Sequence, residues 1–277
     1  MIAALIRWQE FARIWIGHWF SRPFHHLFNL VPGLEVGLAV PTVTHLPLVH
    51  APLAGRRAVH LSDLHLDRYR PRHRAIVRGI AELRPDWIFI TGDLLNVRDG
   101  FPHLLRFLTE LRGLAPVYVT LGNHDHYSGV AVDEFATEFD RRKITLLVNQ
   151  VTFIPLATGE LAIVGLDDPS LHRADLRCIP TPRPGRFTLV LAHAPNILDQ
   201  LTPQHHTDLT LCGHSHAGQW RIPYIPTFWL PPGCHGRTEG LYHKGQHRLY
   251  VNRGLGWSAL PVRLNCAPEI VVLDWAA

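Results

Sequence analysis

From residue 56 onward, short unbroken apolar runs alternate with stretches of helical periodicity. The runs are Ala58–Leu61, Trp87–Thr91, Val117–Leu121, Leu161–Leu166, Phe187–Ala192 and Leu209–Cys212. They are rich in Val, Ile and Leu and show little polar alternation, which predicts strands buried on both faces. Between them, Ile76, Ile80 and Leu83 share a face over 72–84. Leu104, Phe107, Leu108 and Leu111 do so over 102–112, and Val132, Phe135 and Phe139 over 131–142. That spacing predicts amphipathic helices. Two more strands are expected over Arg248–Asn252 and Glu269–Asp274. Strands alternating with helices argue for an α/β sheet core. The chain carries no internal repeat.

The N-terminal pattern is different. Ala4, Trp8, Phe11, Trp15 and Trp19 fall on one stripe of a helix predicted over 3–20, with Arg7, Glu10 and Gly17 on another side. Three tryptophans with Arg13 and Arg22 nearby suit a membrane interface, which residues 1–22 would contact. A helix packed on its own domain or on a partner explains the stripe as well. No run reaches the roughly 18–20 apolar residues that a spanning helix needs. Arg7, Glu10 and Arg13 also interrupt any signal-peptide core. Residues 23–55, rich in Pro, Gly and His, read as a connector with a strand near 34–40. The expected division is residues 1–55 as helix and connector and residues 56–277 as one domain. The expected location is the cytoplasm, peripherally on the inner face of the cell membrane.

Composition adds bounds. The chain has 277 residues, 47% hydrophobic and 18% charged, enough for a large core without staples. Cys178, Cys212, Cys234 and Cys266 form no CxxC pair and read as free thiols. A net charge of +4 and a pI of about 9.1 fit an anionic partner. No nucleic acid is expected. The 20 histidines make position, not number, the informative quantity.

Polar residues gather just past the apolar runs. The first run leads into Asp63 and His65, the second into Asp93, and the third into Asn123, His124 and Asp125. The fifth leads into His193, and the sixth into His214 and His216. In α/β sheets, sites form at the carboxyl ends of strands. Carboxylate oxygen and imidazole nitrogen together suit Mn, Fe, Zn or similar ions. Asp63 and His65, like His214 and His216, are two apart, so an extended chain would point both members of each pair the same way. Glycines beside Asp93, Asn123 and His214 would allow tight turns. Seven candidate ligands exceed the needs of one ion, whereas two ions sharing a carboxylate use them all.

The ordered set DxH, GD, GNHD, a single His and GHxH resembles the calcineurin-like metallophosphoesterase superfamily, over roughly residues 56–275. The resemblance implies an α/β fold with a two-sheet β-sandwich flanked by helices. It implies a first metal on Asp63, His65 and His216, a second on Asn123, His193 and His214, and Asp93 as the bridge. Mn²⁺ is the favoured ion, with Fe, Zn, Mg or Co as alternatives. His124 would contact the phosphate and protonate the leaving oxygen, held by Asp125, while a metal-bound hydroxide attacks.

The stretch GHSHAGQ, the following Pro-rich aromatic loop, RGLG and NCAPEI resemble a bacterial branch of membrane-associated phosphodiesterases. That branch includes a UDP-2,3-diacylglucosamine pyrophosphatase type. Ser215 and Ala217 stand where those members carry Thr and Gly. The expected substrate is a lipid-linked or amphipathic phosphate, with Asn96, Arg253, Tyr224 and Trp229 as candidate contacts. The alternatives are a soluble nucleotide or phosphoprotein substrate, and a non-catalytic scaffold.

Overall fold

The computed structural model describes residues 41–221, 224, 227, 229–258, 263 and 265–277. The helix predicted over 3–20 and the strand near 34–40 lie outside the described residues. Two six-stranded sheets organise the rest. The first contains Thr42–Val49 (β1), Arg57–Leu61 (β2), Trp87–Thr91 (β3), Val117–Thr120 (β4), Thr145–Leu146 (β5) and the C-terminal Glu269–Ala276 (β12). The second contains Gln150–Pro155 (β6), Glu160–Gly165 (β7), Arg186–Leu191 (β8), Leu209–Cys212 (β9), Gly240–Lys244 (β10) and His247–Val251 (β11). The orders are β1-β12-β2-β3-β4-β5 and β10-β11-β9-β8-β7-β6. Strands β2, β3, β4 and β5 run parallel, as do β7, β8, β9 and β11.

Side-chain alternation explains the layering. Ala58, Trp87, Phe89, Leu273 and Trp275 of the first sheet meet Leu161, Ile163, Phe187, Leu189 and Leu211 of the second in a shared core. Residues of opposite parity, such as Val59, Ile88, Ile90, Val117 and Val119, face outward. There they pack under the helices Pro71–Leu83 (α1), Phe101–Arg112 (α2) and Val132–Asp140 (α4) through Ile80, Leu104, Leu108, Phe135 and Phe139. On the far side, Val164, Val190 and Val251 pack on Ile197 and Leu198 of the short helix Ile197–Gln200 (α5). The result is the expected α/β sandwich of two sheets flanked by helices.

The strands that the pattern does not predict lie at sheet margins. β1 falls within the stretch read as connector, yet it pairs in parallel with β12 from Thr42↔Glu269 to Val49↔Ala276. Its Pro47 is tolerated because β1 is an edge strand. Exposed Val43 and Val49 alternate with buried Leu46 and Leu48, too short a signal to read against two prolines. β6 and β10 are edge strands too. Among the described residues, no helix is long and apolar enough to cross a membrane.

Candidate metal centre

The turns after β2, β3, β8 and β9 bring two groups of ligand atoms together. Asp63, His65, Asp93 and His216 form one, and Asp93, His193 and His214 the other. Within each group the atoms lie within 4.8 Å of one another, all are buried, and Asp93 belongs to both. A single Asp93 oxygen, Oδ2, faces both: it lies 3.2 Å from His193 Nε2 and 3.6 Å from His65 Nε2. The other oxygen, Oδ1, accepts the His124 backbone N–H at 2.9 Å. His216 Nε2 lies 3.2 Å from Asp63 Oδ1 and 3.1 Å from His65 Nε2. His214 Nδ1 lies 3.0 Å from His193 Nε2.

The outward ring nitrogens show why the inward ones can bind cations. His193 Nδ1 faces the Thr91 carbonyl at 2.8 Å, and His214 Nε2 faces the Pro232 carbonyl at 2.7 Å. A carbonyl only accepts, so those nitrogens carry protons, and the inward nitrogens are the ones that a cation can bind once they are unprotonated. For His65 the same result needs two steps. Asp67 fixes the Asn96 amide by accepting from its Nδ2 at 2.8 Å, so Asn96 Oδ1 is what faces His65 Nδ1 at 2.7 Å. His216 is the exception, because its outward Nδ1 lies 3.3 Å from Nη2 of the buried Arg263.

Electrostatics fit a cation as well. Burial opposes charge on His193, yet Asp93, Asp63 and Asp168 raise its pKa well above the ordinary value. Burial likewise opposes charge on Asp93, but His193, His124 and His65 hold its carboxyl well below the usual range. The pocket therefore draws positive charge inward, which divalent ions supply. Burial lowers the pKa of His65 far below ordinary, and burial and the neighbouring His193 lower that of His214, so both stay neutral. Asn123 Oδ1 is buried and has no hydrogen-bond partner among the described residues. A buried oxygen of this kind is costly unless it has a ligand.

The backbone differs from the expectation. The ligand pairs do not sit on extended chain: Asp63, His65, Asp93, His214 and His216 all have φ between 41° and 69°. Non-glycine residues adopt that left-handed region only at a cost, and such strain gathers at functional sites. Both side chains of each pair still reach the cluster, through a tight turn. The glycines also act differently. Gly92 does take a positive φ of 77°, but Gly122 and Gly213 are not in that region. They are needed for close approach. A Cβ on Gly122 would lie 2.6 Å from Asp93 N and 2.8 Å from His193 Cγ, and one on Gly213 would lie 2.6 Å from Ser62 Cβ.

His124 stands edge-on to His65, with ring centroids 4.9 Å apart. Its helix, Asn123–Tyr127 (α3), starts at the end of β4. The carboxylate of Asp125 accepts from the Gly122 N–H and the Leu94 N–H, each at 2.8 Å, so it holds the His124 turn through the backbone. Burial and the nearby Asp93 push its pKa up to about 7.

Of the four candidate substrate contacts, the structure brings Asn96 behind His65, where it orients the ring. Arg253 is directed elsewhere: its guanidinium lies 3.5 Å from both Glu239 and Glu269, so its charge is already engaged at the sheet margin. Tyr224 is fully exposed, and Trp229 is 41% exposed on the same loop beyond His216. Asp67 and Arg263 support the site but carry no local signal. They touch Asn96 and His216 across 29 and 47 residues of sequence.

A model of the calcineurin-like phosphoesterases matches residues 56–218. The chain is 33% identical over 228 residues to metallophosphoesterase YkuE of Bacillus subtilis (strain 168), covering 79% of this chain and 78% of YkuE. It is 33% identical over 224 residues to phosphodiesterase YaeI of Escherichia coli (strain K12), covering 79% and 81%. The solved NAD nucleotidase NadN of Haemophilus influenzae shares the fold, with a TM-score of 0.50 at 13% identity over 73% of this chain and 45% of NadN. Motif order, the shared-carboxylate cluster and these likenesses agree: the chain belongs to the calcineurin-like phosphoesterase family and is a metallophosphoesterase whose buried Asp and His cluster suits two divalent ions.

Proposed function

We propose that the protein hydrolyses a phosphodiester or pyrophosphate bond of a lipid-linked or amphipathic substrate at a membrane surface. Asp63, His65 and His216 would hold one ion, Asn123, His193 and His214 the other, and Asp93 would serve both. Mn²⁺ is the ion proposed, and the mixed oxygen and imidazole donors suit Fe or Zn as well. When bound, the ions supply Lewis-acid charge to the phosphoryl oxygens and lower the pKa of coordinated water toward neutrality. The protein's residues do the rest. His124 gives a proton to the leaving oxygen from beside His65, and the Asp125 clamp keeps it there.

The observation that carries the hydrolase reading is the single Asp93 oxygen facing both ligand groups. The diester preference draws support from the name of the similar YaeI. The lipid part draws support from the aromatic loop, whose exposed Tyr224 and Trp229 follow a ligand by only 8 and 13 residues. Tyr and Trp pair an apolar body with a polar tip, which suits a boundary between apolar groups and water. The test is hydrolysis of bis-p-nitrophenyl phosphate and of a nucleotide-diphospho-lipid by the Mn²⁺-loaded protein. Turnover of both, with a higher kcat/KM for the lipid, is expected. Hydrolysis of the soluble diester alone removes the lipid reading, and no turnover of either removes the enzymatic one.

A further inference from the structure

We propose that the buried Arg263 grades the two ion sites. It weakens the one that contains His216, so the ion held with Asp63 and His65 is the readily exchanged one, and activity follows its loading. This rests on the two-ion reading above and adds an order of filling.

Hydrogen-bond polarity separates the four imidazoles. His193 Nδ1 and His214 Nε2 face the carbonyls of Thr91 and Pro232, and His65 Nδ1 faces Asn96 Oδ1. In all three rings the outward proton has an acceptor. His216 Nδ1 instead lies 3.3 Å from Arg263 Nη2. A guanidinium has five donors and no acceptor. His216 Nδ1 therefore accepts, and the proton of the neutral ring falls on Nε2, which faces Asp63 Oδ1 at 3.2 Å. An ion needs that same Nε2. Binding it sends the proton to Nδ1, against the Arg263 N–H, or expels it from the ring. Either course carries a cost that an outward acceptor spares the other three.

The arginine is fixed in this position. Its Nε and Nη2 both donate to the Gly256 carbonyl, at 2.8 and 2.6 Å, and Nη1 lies 3.6 Å from the buried Cys266 Sγ. The Gly256 N–H in turn donates to the Asp63 carbonyl at 2.7 Å. The Cys266 thiol donates to the His216 carbonyl at 3.3 Å. Arg263 is thus tied to the backbone of both Asp63 and His216, and only 8% of it is exposed.

Charge points the same way. By ligands alone the first group should bind better, since it has the Asp63 carboxylate where the second has the neutral Asn123. Arg263 reverses that count, because its fixed positive charge stands behind the group and interacts with Asp63. The second group has the opposite neighbour. Buried Asp168 acts on both His193 and His214, and its carboxylate accepts from the N–H and hydroxyl of Ser170, a neutral residue. The excess of negative charge therefore lies at the second group. A partner behind a ligand typically changes metal affinity about 10–100-fold, which sets the expected gap between the sites.

The test is equilibrium dialysis of the full-length, chelator-stripped protein against Mn²⁺, read by metal analysis. The parent should bind two ions with Kd values at least about tenfold apart. H214A should lose the tighter step and H216A the weaker one. R263Q removes the charge and offers His216 an amide oxygen, so its weaker step should tighten about tenfold. R263K keeps a charge and a donor, so its weaker step should stay within about threefold of the parent's. H214A and H216A retain Arg263, so they test the order even if R263Q folds poorly. Equal Kd values in the parent, one ion only at saturation, or loss of the tighter step in H216A overturns the proposal. So does a folded R263Q with the parent's two Kd values. The Mn²⁺ concentration for half-maximal hydrolysis of bis-p-nitrophenyl phosphate should match the weaker Kd. Two graded steps without any turnover would leave the order standing and remove the enzymatic reading.

Discussion

At the residue scale, one Asp93 oxygen faces both ligand groups, while the His124 ring stands beside them. Asp and His past the apolar runs announce metal chemistry whatever angle the chain takes. Nothing local in SDLH or GHSH signals left-handed φ, because that conformation is imposed by the packing of the turns around Gly122 and Gly213. The division of labour between neighbours can be tested directly. Asp93→Ala removes the oxygen that faces both ligand groups, so bound Mn²⁺ should fall from about two ions to one or none, and activity should vanish with it. His124→Ala removes a ring that stands beside the cluster, so both ions should stay while kcat falls about 10²–10⁴-fold. Metal analysis beside kinetics on the two purified variants separates them. Loss of metal from His124→Ala would show that the ring is a ligand, contrary to its assignment.

At the element scale, central strands were legible because burial on both faces leaves a continuous apolar run. Trp87–Thr91 and Leu209–Cys212 match their predicted bounds. Edge strands β1, β6 and β10 were not, since one margin and part of each face meet solvent and the run breaks up. Asp125 shows how two strand ends are locked together: its oxygens bridge the turn after β4 to that after β3. This clamp has a pH signature. Burial and Asp93 raise its folded pKa from 3.8 to about 7. A carboxyl raised in this way binds its proton more tightly folded than unfolded. Its contribution to stability is therefore fully present below about pH 4 and is lost as pH rises through 7, amounting to roughly 2–4 kcal/mol. In chelator, the urea midpoint of the parent should carry this downward slope between pH 5 and 7, and Asp125→Asn should lack it. An unchanged slope in the variant would place the titration elsewhere. Loading with Mn²⁺ should also flatten the parent's slope, because cations beside Asp93 cancel the repulsion.

At the scale of the whole molecule, the centre draws on both sheets: Asp63, His65 and Asp93 follow strands of the first, and His193, His214 and His216 follow strands of the second. The shared apolar core holds the two sheets along their length, but at the metal edge buried carboxylates and imidazoles replace that core. Without cations this edge is the costliest part of the sandwich, since buried charge lacks water. Ions bound there should therefore staple the two sheets and stabilise the fold by mass action. Once [Mn²⁺] exceeds the Kd, each occupied site adds about 1.4 kcal/mol per tenfold rise in free metal. For a domain of this size that is roughly 5–10 °C in the unfolding midpoint per decade if two ions bind, and about half if one does. A thermal-shift titration of the parent and of Asp63→Asn reads the slope. The parent should show the two-ion slope, reversed by chelator, and the variant, which lacks one carboxylate of the first ligand group, the one-ion slope. A one-ion slope in the parent would mean that the seven ligands serve a mononuclear centre, and Asp93 would then have no second ion to bridge.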